Sequence, residues 1–171
     1  RRTLHLDRRL LGREHLERGA TRRRAGRDVT RVDFYSLGPD SRGDRFILAC
    51  RLVERIRAQD LRVLILCPDR EEARHLDRLL WTMRQESFLP HGLVGTVDTD
   101  LTPILISLDG ASEHGCPVLL NLSRALPAGL ERFERLCDLV DNDPAVRQAG
   151  RERFRAYRER GYEPDHHKIR L

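Results

Sequence analysis

Long apolar runs are missing from this 171-residue sequence, whose uninterrupted stretches, such as those at 63–67 and 118–120, are only a few residues long. A bilayer span needs about 20, and a secretory signal needs about 7 to 15 apolar residues behind its basic start. Neither is present, so a cytosolic protein is expected. Aromatics are scarce at 5%, with a single Trp, and the four cysteines form no Cys-x-x-Cys pair. Cys50, Cys67 and Cys137 have apolar neighbours, the setting of buried reduced thiols. His114 and Cys116, two apart in a Gly-flanked loop, and His166-His167 near the C-terminus complete no set of four zinc ligands. No structural metal and no cofactor are expected.

Catalytic signatures are equally absent: there is no Gly-x-Ser-x-Gly elbow and no His-Glu-x-x-His pair. The turn Gly38-Pro39-Asp40-Ser41-Arg42-Gly43-Asp44-Arg45 spaces two glycines as a phosphate-binding loop does. Asp44 and Arg45 stand where Lys and Ser or Thr are required, and an acid there repels phosphate. Asp98 and Asp100 read as a solvated turn, and Asp141-Asn142-Asp143 as turn and capping residues. Nothing in these motifs argues for an enzyme.

What the sequence has in abundance is charge, 35% of its residues, beside 39% hydrophobic ones, enough for one domain with its own core. The formal net charge of +5 is unevenly placed: residues 1–31 hold 11 Arg against four acids, whereas residues 32–171 hold 21 basic and 23 acidic residues. The excess belongs to residues 1–28, an Arg-rich extension read as disordered or as an over-extended start, with Val29 as the alternative first residue. Residues 29–171 read as a single α/β domain. A direct nucleic-acid-binding protein using the basic N-terminal arm is the rival function. A protein that grips a phosphate backbone is expected to carry its excess on the folded part instead.

A short β-rich run at 32–37 is followed by a turn and then by Phe46, Ala49, Cys50, Val53 and Ile56, whose spacing stacks them on one face of a helix over 42–59. The apolar run 62–67 has the composition of a strand buried on both faces. Pro68-Asp69 opens a second helix over 70–82. Strands are expected at 101–108, 117–122 and 133–140, although 131–139 also tolerates a helical reading. Asp143-Pro144 starts a last helix that Gly161 stops. The order predicts a doubly wound, mostly parallel five-stranded sheet flanked by helices, Rossmann-like without a functional phosphate loop.

Two places stand out. At 100° per residue, Arg151, Arg155 and Arg158 lie within about 80° of Arg147 on the last helix, and Phe154 lies about 20° to the other side. Tyr157 and Tyr162 are close by. A stripe of guanidiniums with an aromatic ring suits an acidic peptide carrying an apolar anchor, and a solvated face balanced by Glu152 and Glu159, with Phe154 in the core, is the plain alternative. The other place is Trp81 followed by Glu86-Ser87-Phe88-Leu89-Pro90-His91, either an anchor pair for a partner or two core rings.

Taken with Val32-Asp33-Phe34-Tyr35, Arg62-Val63-Leu64-Ile65-Leu66-Cys67, Leu76-Asp77-Arg78-Leu79-Leu80-Trp81 and Arg151-Glu152-Arg153-Phe154-Arg155-Ala156-Tyr157-Arg158 before Gly161-Tyr162, these motifs resemble the chi subunits of bacterial DNA polymerase III holoenzyme over residues 29–163. The resemblance implies a doubly wound α/β domain without enzymatic activity. It implies an adaptor for DNA replication and repair, associated with the clamp loader, which links the acidic C-terminal tail of single-stranded DNA-binding protein to the holoenzyme through the psi subunit. Nucleic acid would be reached only indirectly, and the location would be cytoplasmic, at the nucleoid. By position, Arg151, Phe154, Arg155, Tyr157, Gly161 and Tyr162 match the tail-binding helix. Trp81, Phe88, Leu89 and Pro90 match the contact for psi or a competing helicase. Phe154 and Arg155 stand where the family commonly has Tyr then Lys, which removes a hydroxyl and keeps the ring and the charge.

Overall fold

A computed structural model describes residues 23–24, 27–83, 88–108 and 114–171 of the chain. The expectations for residues 1–22, including most of the Arg-rich extension, and for Glu86 and Ser87 lie outside the described residues.

The two-residue strands β1 (Arg23–Arg24) and β2 (Arg27–Asp28) form a small antiparallel ladder. Next come β3 (Arg31–Leu37), α1 (Arg45–Ala58), β4 (Val63–Leu66), α2 (Arg70–Thr82), β5 (His91–Leu93) and β6 (Ile104–Ser107). The chain continues through β7 (Val118–Asn121), a 3-10 turn (Leu130–Arg132), β8 (Arg135–Val140), α3 (Pro144–Glu159) and β9 (Asp165–Ile169). Strands β3 to β9 form one sheet in the order β5-β6-β4-β7-β8-β3-β9, with every neighbouring pair parallel.

Local chemistry sets the helix ends. The Asp44 carboxylate accepts the N–H groups of Phe46 and Ile47 at 3.0 Å each, so α1 starts at Arg45 rather than at 42. Asp69 caps α2 through the Glu72 N–H, and Asp143 caps α3 with Pro144 in its first turn. Gly161, at φ +85°, ends α3 in the left-handed conformation that glycine adopts without strain.

The sheet is covered on both faces. Helices α1 and α2 pack on the side of Tyr35, Leu37, Val63, Ile65, Ile104, Ile106, Leu120 and Leu139. Helix α3 and the 3-10 turn pack on the other side, over Val32, Phe34, Leu64, Leu66, Leu105, Leu119, Leu136 and Val140. Neighbouring strands β3 and β8 are thus followed by helices on opposite faces, the doubly wound arrangement expected from the strand and helix order. All four residues of β4 are buried, as the unbroken apolar run predicts.

The sheet has seven strands rather than five. The additional ones, β5 and β9, are its two outer strands, too short or too polar for an apolar pattern to reveal. The ambiguous stretch at 131–139 ends a 3-10 turn and then runs as strand, and 133–134 lie outside it. All four cysteines are buried and free.

Candidate partner-binding surfaces

The phosphate-loop position is filled by the chain's own charges. Asp44 occupies the N-terminus of α1, and the buried Arg45 guanidinium beside it donates to Asp141 at 3.1 Å and to both oxygens of Glu72 at 2.8 and 2.7 Å. An internal ion cluster therefore sits at the helix N-terminus, beside the region where such sheets hold phosphates. Among the described residues no group of three or more His, Cys, Asp or Glu is placed to hold a metal, and no helix is long and apolar enough to cross a membrane.

Helix α3 has two faces of different chemistry. Val146, Gly150, Arg153 and Tyr157, at helical spacing, turn to the sheet. Arg153 reaches Asp138 on β8 with Nε and Nη2, at 2.8 and 2.7 Å, and donates from Nη1 to the Arg124 carbonyl at 2.8 Å. The Tyr157 hydroxyl donates to the same carboxylate, as does the Asn121 amide at 3.3 Å. Burial, and then the Asp138 charge, push the Tyr157 phenol far above its ordinary value, which keeps its proton in place as a donor.

The other face carries Arg151, Arg155 and Arg158, all exposed and none paired with a carboxylate among the described residues. Glu152, which could have balanced them, instead accepts from Gln148 at 3.0 Å. Arg147 is turned aside toward the Leu37 carbonyl at 3.3 Å. Phe154 is half-buried, edge-on to Phe34 with ring centroids 5.2 Å apart and 6.1 Å from the His166 ring. Tyr162 is half-buried on the α3 side of the core, and Gly161 is exposed. Of the six residues matched to a tail-binding helix, five reach the surface. Tyr157 does not: its side chain is 0% exposed and is spent on Asp138, so it has no surface to offer a partner.

The second patch lies at the end of α2. Trp81 is 55% exposed and Phe88 65% exposed, so neither ring is part of the core. Their centroids are 5.1 Å apart, and Trp81 also packs edge-on over His91 at 5.0 Å. The His91 ring is buried beneath, with Nδ1 2.7 Å from the Leu89 carbonyl and Nε2 3.3 Å from the Asp77 carboxylate, one helical turn before Trp81. Leu89 is half-buried against the core and Pro90 is exposed.

Residue-by-residue reading missed the supporting groups. Arg153 was visible as a charge on the 146-150-153-157 stripe that otherwise faces the core, and Asp138 as a lone acid in an apolar strand. Their pairing is the signal that joins them.

Fold and surface together define the class: a doubly wound α/β domain with two exposed patches of large side chains, one basic and aromatic, the other apolar. The family model described as DNA polymerase III chi subunit, HolC, matches residues 29–165. The chain is 36% identical over 141 residues to the DNA polymerase III subunit chi of Pseudomonas aeruginosa, covering 82% of this chain and 98% of that one. It is 32% identical to the subunit chi of Escherichia coli K12 over 134 residues, 75% and 91% of the two chains. That of Haemophilus influenzae is also 32% identical, over 116 residues, 67% and 81% of the two. The chain therefore belongs to the family of DNA polymerase III chi subunits. Among solved structures, the C-terminal domain of the DEAD-box protein Dbp5 is similar at a TM-score of 0.54 and 12% identity, covering 82% of this chain and 91% of that one. The S. cerevisiae Dbp5 C-terminal domain bound to Gle1 is similar at 0.56 and 10% identity, covering 80% and 90%. That likeness shows the fold alone.

Proposed function

We propose that the protein is a non-catalytic adaptor of DNA replication and repair, acting in the cytoplasm at the nucleoid. It holds the acidic C-terminal tail of single-stranded DNA-binding protein and links it to the polymerase holoenzyme through psi or a comparable partner at the clamp loader. Nucleic acid is reached only through that tail. Arg151 and Arg155 take carboxylates of the peptide, including its terminal one, and Phe154 with Tyr162 flanks its final aromatic side chain, next to the exposed Gly161. Tyr157 contributes from beneath by tying α3 to Asp138. Trp81, Phe88, Leu89 and Pro90 form the contact for psi or a helicase partner.

The observation that carries this reading is the set of exposed guanidiniums, Arg151, Arg155 and Arg158, unpaired with any carboxylate among the described residues and set around the half-buried Phe154 ring. A planar guanidinium with no carboxylate of its own is ready to form charge-assisted bonds with one from outside, and the adjoining ring supplies apolar area. The test is fluorescence anisotropy of a labelled acidic peptide ending in Asp-Ile-Pro-Phe, titrated with the full chain and with its Arg155→Ala variant. Saturable binding on the order of micromolar is expected, weakened in the variant by roughly 1 to 3 kcal/mol. No binding by the folded chain would overturn the proposal.

A further inference from the structure

Strand β9 is the outer strand of the sheet beside α3, paired with β3 on one side and, among the described residues, with no strand on the other. Its side chains alternate across the sheet. His167 turns to the α1 face, stacked on Tyr35 at 4.8 Å with Nε2 2.8 Å from Asp33. His166 turns to the α3 face, where its ring lies 5.6 Å from that of Phe34 and 6.1 Å from that of Phe154, and its Nε2 is 2.7 Å from the Ser36 hydroxyl. Alternation puts the exposed Lys168 on the face of His166. On the helix, the side chains one turn either way from Phe154 are Arg151 and Arg158. The edge of α3 nearest β9 is therefore its basic one. A strip of surface results, floored by the Phe154 and His166 rings and flanked by the exposed Arg151, Arg158 and Lys168.

We propose that this strip is a second part of the peptide site: an extended acidic segment lies along β9 as an added strand, its carboxylates against Lys168 and Arg151, while the apolar end of the same peptide sits at Phe154. The inference rests on reading α3 as the site for an acidic tail. Open strand edges accept extended peptides through main-chain hydrogen bonds. A lysine on such an edge ordinarily blocks pairing with other strands, but it does so by charge, and an acidic strand turns that charge into attraction. On the face of His166, β9 and the residue after it carry Lys168 and Arg170, and residues 165–170 hold the one acid Asp165. The chain's own N-terminal stretch is a poor occupant, because residues 1–31 carry 11 Arg against four acids and share the sign of the strip. The family match ends at residue 165, so the basic part of β9 lies beyond it.

Two labelled peptides test this with the full chain: Asp-Ile-Pro-Phe alone, and the same sequence preceded by six residues alternating Asp and Gly. The longer peptide should bind about tenfold more tightly, a gain of about 1.4 kcal/mol. Lys168→Glu should cancel that gain and leave the short peptide unchanged, with Lys168→Gln between. Methylating the main-chain nitrogens of one alternate set in the added segment should also cancel it, and methylating the other set should not. Equal affinities for the two peptides would overturn the proposal, as would a gain that survives Lys168→Glu or both methylations. Failure of the short peptide to bind would overturn the reading of α3, and the β9 proposal with it.

Discussion

Arg153 grips Asp138 with two hydrogen bonds, Nε to Oδ2 at 2.8 Å and Nη2 to Oδ1 at 2.7 Å, across the seam where α3 meets the sheet. Both side chains are at least 97% removed from water, Arg153 at 3% exposure and Asp138 at 0%. The same helix thus spends one arginine on its own anchorage and leaves three others facing outward. The position of the basic stripe depends on the buried pair.

Removing one member of that pair should cost far more than the pair itself contributes. Asp138→Ala leaves a buried guanidinium without its counter-charge and is expected to destabilise the domain by about 3 to 5 kcal/mol. Tyr157→Phe deletes only one donor to a carboxylate that retains Arg153 and Asn121, and should cost about 1 kcal/mol. Urea denaturation of the three proteins measures both.

Acid should weaken the fold through Asp33. Burial pushes its carboxyl up, but the His167 hydrogen bond and the charges of Arg135 and Arg31 outweigh that and hold it below its ordinary 3.8. A carboxylate with a depressed folded pKa stabilises the fold above its unfolded value. That contribution falls away as the pH drops below about 4, through the folded value. Stability measured by urea denaturation between pH 3 and pH 6 should decline toward the acid end, and the Asp33→Asn variant should show a shallower decline.

Gly150 should not tolerate alanine. In an exposed helix the change would stabilise by about 1 kcal/mol. Here a Cβ would lie 2.5 Å from the Val140 Cγ2 atom and 3.4 Å from the Phe34 ring. Because α3 cannot move off the sheet without disturbing the Arg153 pair, Gly150→Ala should instead destabilise by about 1 to 3 kcal/mol. Thermal unfolding decides the sign, and adding Val140→Ala should recover part of the loss.

Trp81→Ala and Phe88→Ala should separate binding from folding. Both rings are more than half exposed, so each change should alter stability by less than about 1 kcal/mol. The anisotropy titration of the tail peptide should be unchanged, and capture of psi or a helicase partner from purified components should fall.

Salt should weaken the peptide complex, since the guanidiniums of Arg151 and Arg155 are exposed and their attraction is screened. The same titration repeated in about 0.5 M salt should show reduced affinity, where the Debye length is only a few ångströms. An unchanged constant would rule out the electrostatic half of the site.

How much of this was legible in advance depended on range. The five inner strands announced themselves as apolar runs, and the helix starts at Asp69 and Asp143 as cap residues, because both signals arise within a turn or a pleat of the residue concerned. The outer strands did not. His91–Leu93 is three residues long, and Asp165–Ile169 is mostly polar, since a strand at the sheet edge has less of its surface to bury. At the candidate site the guanidinium stripe and the Trp81–Phe88 pair could be placed from helical spacing and composition. Tyr157 could not be told from its surface neighbours by its place in the motif, although its spacing from Val146, Gly150 and Arg153 puts it on the inward side.

By itself the amino-acid sequence determined the periods, the caps and the sign of each stretch of charge, which were enough for a doubly wound α/β domain, while the motifs at 76–81, 86–91 and 151–162 carried the resemblance to its family. Only the tertiary structure decided which charges are spent and which are free. Arg45 is paired with Asp141, 96 residues away, and His167 with Asp33, 134 residues away, whereas Arg151, Arg155 and Arg158 are exposed and form no ion pair among the described residues. That distinction depends on which distant segments the sheet order brings side by side, and no local pattern along the chain encodes it.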